Sequence, residues 1–156
     1  MKIEWFKLVV SIVMCQTAGI VGSLFTVKNI PAWYAALNKP SFNPPNWIFG
    51  PVWIFLYILM GISFYLIWIN CGTGNFGLLL SLFIFQLVLN SFWTIIFFGL
   101  KSPLFAFCEI AVLWVAILFC IILFFQVSKI SSFLLIPYLL WVTFAAILNF
   151  AIWKLN

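Results

Sequence analysis

The sequence predicts an all-α, polytopic membrane protein: a bundle of five transmembrane helices with a long loop between helices 1 and 2. Hydrophobic residues make up 67% of the 156 residues and charged residues only 6%. The mean hydropathy of +1.30 lies far outside the range of soluble domains. The apolar runs are about 20 residues long, the length that a helix needs to cross a hydrocarbon core of ~30 Å.

Residues that favour turns divide the chain, which we take as one domain over 1–156, into five apolar runs. The predicted spans cover residues 6–27, 46–69, 76–99, 103–126 and 133–153. Short turns join the last four spans, which are therefore antiparallel neighbours, whereas residues 28–45 form a long loop. We interpret the first run as a span rather than a cleaved signal peptide, because it is long and no small-residue cleavage site follows it.

The charged residues do not indicate a nucleic-acid surface. The chain carries seven lysines, no arginine and no histidine, for a net charge of +5. The lysines lie singly at the ends of apolar runs, where long side chains reach up to the membrane surface. We therefore expect the lipid bilayer as a partner and no nucleic acid. The lysines divide almost evenly between the two predicted sides, so the orientation stays open.

Small residues recur along one face of the first span. Ser11, Cys15, Gly19 and Ser23 are spaced every four residues. In a membrane, such a face is typical of close helix packing, although small residues can also make room for a ligand. We favour helix packing.

Rings and amides share one face in three other spans. An amide that faced lipid would lose its hydrogen bonds at a cost of several kcal/mol, so these amides should point inward. Each amide is either a tie between helices or part of a ligand site. The stripes consist of Trp53, Tyr57 and Gly61 in the second span, Gln86, Asn90, Trp93 and Phe97 in the third, and Tyr138, Trp141, Ala145 and Asn149 in the fifth.

Few residues in the spans could carry acid–base or metal chemistry. Glu109 is the one acid in an apolar run, and intramembrane carboxylates are functional candidates. A proton relay would need partners, yet the chain has no histidine and no second acid at this depth. We therefore favour a protonated or hydrogen-bonded structural role for Glu109. The four cysteines lack C-x-x-C spacing, so we expect no metal site.

Three motifs carry a family resemblance that extends over all five spans. They are W-Y-x-x-L-x-K-P-x-F-x-P-P-x-W-x-F-G-P-V-W from Trp33, N-x-x-W from Asn90, and P-Y-x-x-W-x-x-F-A-x-x-L-N from Pro137. The chain resembles the translocator protein family, also called the tryptophan-rich sensory protein or peripheral benzodiazepine receptor family. Members of this family bind porphyrins and haem, drug-like isoquinoline and benzodiazepine ligands and, in animals, cholesterol.

The resemblance implies a five-helix bundle, often a homodimer, with a ligand cavity that opens toward the long loop and is closed by it. The prolines of the loop would hold Trp33 and Tyr34 as a lid, and Lys39 would be a cation at the rim. The implied cavity residues are Trp33, Tyr34 and Pro44 in the loop, and Trp53, Tyr57, Asn90, Trp93, Tyr138, Trp141, Ala145 and Leu148 in the helices.

We expect a protein that binds porphyrin or haem and related hydrophobic ligands, in tetrapyrrole sensing or handling, and that requires no cofactor. Without histidine, only Cys, Met or Tyr could ligate haem iron, so the metal-free ring should bind at least as readily. No Lys or Arg follows Tyr138 within five residues, as the animal sterol motif requires, which argues against sterol binding.

Two alternatives to a binding protein stay open. One is an enzyme that degrades bound porphyrin in light, with Trp53 and Trp141 as redox-active catalytic residues. The other is a tetrapyrrole transporter, although the spans show no Gly- or Pro-interrupted pair of the kind that alternating access uses. We expect a binding protein rather than an enzyme. We also expect it to lie in a prokaryotic cell membrane rather than the mitochondrial outer membrane.

Overall fold

The fold is a bundle of helices, as the sequence predicts. The computed structural model describes residues 3–156, apart from the side chain of Thr73, and this range contains helices and turns but no strand. Five helical segments in it are long and apolar enough to cross a membrane. Lys2, one of the lysines predicted to lie at the membrane surface, is outside the described residues.

Six α-helices, numbered α1 to α6 in chain order, build the five spans. They are α1 (Trp5–Asn29), α2 (Asn46–Asn70), α3 (Thr73–Thr94), α4 (Pro103–Val127), α5 (Lys129–Leu134) and α6 (Ile136–Leu155). The fifth span, predicted over 133–153, is built by α5 and α6 together. The helix breaks between them because Pro137, in the first turn of α6, has no N–H to donate to the preceding turn.

A π-helical turn extends α1 over Ile30–Tyr34, and this α1 extension shortens the predicted loop of residues 28–45. The chain stays helical as far as residue 36, and only residues 37–45, the linker, separate α1 from α2. The N–H of Ala35 bonds to the carbonyl of Ile30, five residues back. This wider turn bypasses Pro31, which cannot donate a hydrogen bond, so the proline does not end the helix.

Helix α1 packs on α2 through glycines, which allow close approach. A methyl group at Gly61 would lie 2.7 Å from Cα of Ile12, and one at Gly19 would overlap the ring of Tyr57. Ser11 and Cys15 are fully buried beside these contacts, so the predicted small-residue face packs as expected along most of its length. Its last member, Ser23, is exposed.

The end of the bundle away from the linker is held by reciprocal hydrogen bonds. Ser63 Oγ donates to the carbonyl of Ser131 (2.8 Å), and Ser131 Oγ donates to the carbonyl of Ser63 (2.7 Å). Both side chains are fully buried. Ser132 Oγ donates to the carbonyl of Ile121 on α4 (2.8 Å). Short α5 is thereby tied to both α2 and α4.

The three amides of the predicted stripes all point into the bundle, as predicted. Gln86, Asn90 and Asn149 are each less than one-twentieth exposed. Their environments differ, because Asn90 and Asn149 are hydrogen bonded to other helices whereas neither side-chain atom of Gln86 has a hydrogen-bond partner within residues 3–156. Of the two interpretations given for each amide, a tie between helices therefore does not apply to Gln86, which forms no side-chain hydrogen bond within the described residues.

Candidate ligand cavity

A cavity of about 520 Å³ lies in the half of the bundle nearest the linker. Its size falls within the usual range of small-molecule sites. Helices α1, α2, α3 and α6 and the extensions of α1 and α3 supply its walls, the α3 extension being the π-helical turn Ile95–Gly99. The rings on these walls belong to Tyr34, Trp47, Phe49, Trp53, Tyr57, Trp93, Phe97, Phe98 and Trp141.

Two polar side chains of the cavity wall, Tyr57 and Asn90, form a network with Tyr138 behind them. Tyr57 on α2 donates its hydroxyl hydrogen to Oδ1 of Asn90 on α3. Nδ2 of Asn90 donates to the hydroxyl of Tyr138 on α6 (2.9 Å). All three residues are buried, so the network ties three helices together and fixes the ring of Tyr57.

A second network fixes Trp93 on the side wall. Its indole Nε1 donates to Oδ1 of Asn149 (3.1 Å), and Nδ2 of Asn149 donates to the carbonyl of Pro103 at the start of α4 (2.7 Å). The ring of Trp93 also stacks on Phe97, with centroids 5.1 Å apart and an interplanar angle of 18°. Trp93 thus presents a ring of fixed orientation to the cavity.

The two tryptophans predicted for photochemistry both line the cavity. Trp53 on α2 stacks on Tyr57, with centroids 5.5 Å apart. Trp141 on α6 meets Phe49 edge-on at 5.9 Å, and its buried Nε1 has no hydrogen-bond partner in the described part of the chain. The two indoles therefore belong to different helices of one cavity.

The predicted loop of residues 28–45 contributes to the cavity wall only through its helical part, with Ile30 and Tyr34. None of the linker residues 37–45, Pro44 included, is among the described residues that line the cavity. Tyr34 does line it, but from the α1 extension, where its ring packs on Phe98 with centroids 5.8 Å apart and its hydroxyl donates to Oδ1 of Asn43 (2.7 Å). The continued helix turns Trp33 away, toward a separate depression that Lys101 also lines.

Lys39, predicted as a cation at the rim, is not among the described residues that line the cavity. Its Nζ donates to the carbonyls of Ala35 and Leu37 (both 3.2 Å) and lies 4.9 Å from the ring centroid of Tyr34. A cation in this position satisfies carbonyls at a helix end and the negative end of the helix dipole. The described residues that line the cavity include no charged side chain.

The structure brings together most, but not all, of the residues that the resemblance implied. Tyr138 is fully buried behind Asn90 and does not reach the cavity. Trp33, Lys39 and Pro44 also lie outside it. Those that line it are Tyr34, Trp53, Tyr57, Asn90, Trp93, Trp141, Ala145 and Leu148. Whether these residues bind a ligand stays a prediction.

Three phenylalanines of the cavity wall were not among the predicted site residues. Phe49 lies one helical turn before Trp53, so a longer stripe on α2 would have included it. Phe97 was already on the stripe of α3. Phe98 lines the cavity beside Phe97 because both belong to the π-helical turn, which a pattern with a period of 3.6 residues does not predict.

Glu109 is not part of the cavity. It is half-buried on α4, and neither of its carboxyl oxygens has a hydrogen-bond partner within residues 3–156. The hydrogen-bonded form of its predicted structural role is therefore not observed.

Comparison with known proteins places the chain in a family. A family model described as TspO/MBR family matches residues 11–154. "Tryptophan-rich protein TspO" of Archaeoglobus fulgidus is 46% identical to this chain, in an alignment that covers 96% of this chain and 97% of the relative's length. The protein of the same name from Chlorobaculum tepidum is 44% identical, over 100% of this chain and 99% of the relative. Human "Translocator protein" is 39% identical, over 87% of this chain and 82% of the relative. The chain is a multi-pass integral membrane protein that belongs to the TspO/MBR family.

Proposed function

We propose that the protein binds tetrapyrroles and related flat hydrophobic ligands in the cavity, as part of sensing or handling them. The observation that carries the proposal is a cavity of about 520 Å³ to which Trp53, Trp93 and Trp141 bring indole rings from three different helices. Contacts between aromatic rings contribute ~0.5–1.5 kcal/mol each beyond the burial of area. A relative in Cereibacter sphaeroides, 33% identical over 156 residues, is named "Tryptophan-rich sensory protein", which agrees with a sensing role.

The charge pattern of the cavity determines how a porphyrin lies in it. Burial of an unpaired carboxylate is costly, and the described lining offers no cation to pair with one. The macrocycle therefore occupies the apolar interior, and its acid groups stay near Asn46 and Trp47. These two residues line the cavity at the start of α2, where head groups and water can solvate the acids.

Metal-free porphyrin suits the cavity at least as well as haem. Among the described lining residues, only Tyr34 and Tyr57 are of a type that ligates haem iron. Both hydroxyls already donate hydrogen bonds, to Asn43 and to Asn90. Iron coordination would have to break one of these bonds, so we expect haem to bind no more tightly than protoporphyrin IX.

A titration in the dark tests the proposal. Protoporphyrin IX is added to the detergent-purified protein while tryptophan fluorescence is recorded. We expect quenching that saturates at one porphyrin per chain, because the ring lies beside three indoles. Quenching that rises linearly without saturation, as partition into micelles would give, contradicts the proposal.

Light-dependent degradation of the bound porphyrin is a second candidate function, because Trp53 and Trp141 both line the cavity. Light would excite the bound ring, and dioxygen would be the oxidant that opens it to a bilin-like product. Illumination of the complex in air should then produce a new absorbance band, which should be lost in the Trp53→Phe, Trp141→Phe double variant. Equal turnover in the double variant rules out a role for the two indoles.

A further inference from the structure

Helices α1 and α2 touch over only part of their length. In the half of the bundle away from the linker, Ile12 packs on Gly61. Closer to the linker, Nε2 of Gln16 donates to the carbonyl of Ile54 (3.3 Å). Gly19 packs closely against the ring of Tyr57.

Nearer the linker, α1 packs against α3. Ser91 Oγ donates to the carbonyl of Ala18 (3.2 Å), and a methyl group at Gly22 would lie 3.1 Å from Oγ1 of Thr94. The α3 extension continues this contact along α1. Since α1 follows α3 here, a gap opens between α1 and α2, and residues of both helices on either side of the gap line the cavity.

The gap reaches the outer surface of the bundle at membrane depth. Four residues line the cavity and are nevertheless more than half exposed: Ile20 (61%) and Val27 (69%) on α1, and Trp47 (74%) and Ile54 (56%) on α2. Residues with both properties lie at an opening. Ile20 and Ile54 lie about two turns inside helices that are long and apolar enough to cross a membrane, so this part of the opening faces lipid, whereas Val27 and Trp47 lie at the helix ends nearest the linker.

The chemistry of the rim agrees with a lipid-facing opening. Its large residues are apolar, and the hydroxyl of Ser23 is satisfied within α1 by the carbonyl of Ile20 (2.7 Å). Such a rim loses no hydrogen bonds to lipid, whereas the same apolar surface would be unfavourable against water. Elsewhere on the cavity wall, Tyr57 and Asn90 are held in a hydrogen-bond network with Tyr138, and Tyr34 packs on Phe98.

We propose that ligands reach the cavity sideways from the bilayer, through the gap between α1 and α2. This inference rests on the proposed function, since it concerns the same cavity. It also specifies the ligand class: molecules that dissolve in the membrane and either carry no charge or hold their charges at one edge, at the level of the head groups. The linker then takes no part in the access route.

Substitutions on the two sides of the gap test the route. Ser23→Phe narrows the gap from α1. Gly50→Leu narrows it from α2, where an added Cβ would meet no atom within 4 Å. Ser81→Phe is the matched control, because Ser81 is likewise exposed on a span, bonds to its own helix and lies outside the cavity. Asn43→Ala, which frees Tyr34 from the linker, tests the alternative route.

The measurement is stopped-flow quenching of tryptophan fluorescence by the uncharged dimethyl ester of protoporphyrin IX, with protein in phosphatidylcholine vesicles. A narrowed gap slows passage in both directions. We expect association and dissociation rates both to fall by about tenfold in Ser23→Phe and Gly50→Leu, whereas a variant that only weakened binding would speed dissociation. Ser81→Phe and Asn43→Ala should behave as the wild type.

Unchanged rates in both gap variants would overturn the lateral route, and so would altered rates in Asn43→Ala alone. An absence of saturable quenching in the wild type would instead overturn the proposed function. The two failures are therefore distinguishable in one set of experiments.

Discussion

The two halves of the bundle use the same residue types with opposite results. In the half away from the linker, Phe83 stacks on Phe64 at 4.7 Å and on Phe124 at 5.9 Å, and all three rings are almost fully buried. In the half near the linker, an equally aromatic set of side chains surrounds a cavity. The number of rings therefore does not determine whether the interior is filled.

What differs is the spacing of the helices and the way the rings are held. Away from the linker, Gly61 lets α1 approach α2 until backbone and side chain touch. Near the linker, α1 leans on α3, and hydrogen bonds hold the rings of Tyr57 and Trp93 at the wall. A wall of tied side chains cannot collapse into the void as a freely packing core does.

The largest expected effect on stability comes from Gly61→Ala in the filled half. The added methyl group would lie 2.7 Å from Cα of Ile12, a backbone atom that can move only with its whole helix. We expect a loss of up to about 3 kcal/mol in the free energy of unfolding, measured by denaturant unfolding in detergent. Gly50→Ala, which meets no atom within 4 Å, is the control. Equal effects of the two substitutions would show that the close contact is not needed.

Asn90→Leu should disturb the cavity half. The substitution leaves the buried hydroxyls of Tyr57 and Tyr138 without their shared partner, which we expect to cost about 2 kcal/mol of stability. Porphyrin affinity should fall as well, because the ring of Tyr57 is released. Unfolding and fluorescence titration measure the two effects. Lost stability with unchanged affinity would mean that the network does not shape the cavity.

Ser131→Ala should separate stability from binding. It removes the hydrogen bond from Ser131 Oγ to the carbonyl of Ser63 in the filled half, and interhelical hydrogen bonds in membranes contribute about 1 kcal/mol. We expect that loss in the free energy of unfolding with no change in porphyrin affinity. A parallel loss of affinity would contradict the independence of the two halves.

Lys39→Met should have the smallest effect. The lysine bonds to carbonyls at the end of α1, so its loss should cost about 0.5 kcal/mol of stability. Porphyrin affinity should stay the same, at low and at high salt, because Lys39 does not line the cavity. A clear loss of affinity at low salt alone would restore Lys39 as the partner of the acid groups.

The sequence predicts the spans well because their signal is local. Runs of apolar residues identify the five spans, and the cost of exposing an amide to lipid correctly turns Asn90 and Asn149 inward. Of the eight residues that the family resemblance implied and that line the cavity, all but Tyr34 and Leu148 lie on the predicted stripes. These features need no knowledge of how the helices are placed relative to one another.

The incorrect predictions involve backbone geometry that a regular period does not contain. Pro31 looks like the end of a helix, but the π-helical turn bypasses it and carries Trp33 and Tyr34 out of the loop. The second π-helical turn brings Phe98 to the cavity beside Phe97. The gap between α1 and α2 results from the lean of α1 toward α3, which only the assembled bundle shows.

Filling the cavity with a side chain tests most directly that it is the binding site. Ala145 is buried on α6 and lines the cavity, whereas Ala111 on α4 is exposed on the outer surface of a span. In the protoporphyrin IX titration, Ala145→Phe should lower the affinity by at least about tenfold, a loss of some 1.4 kcal/mol in binding. Ala111→Phe should bind as the wild type does. Undiminished binding by a folded Ala145→Phe variant would contradict the assignment of the site.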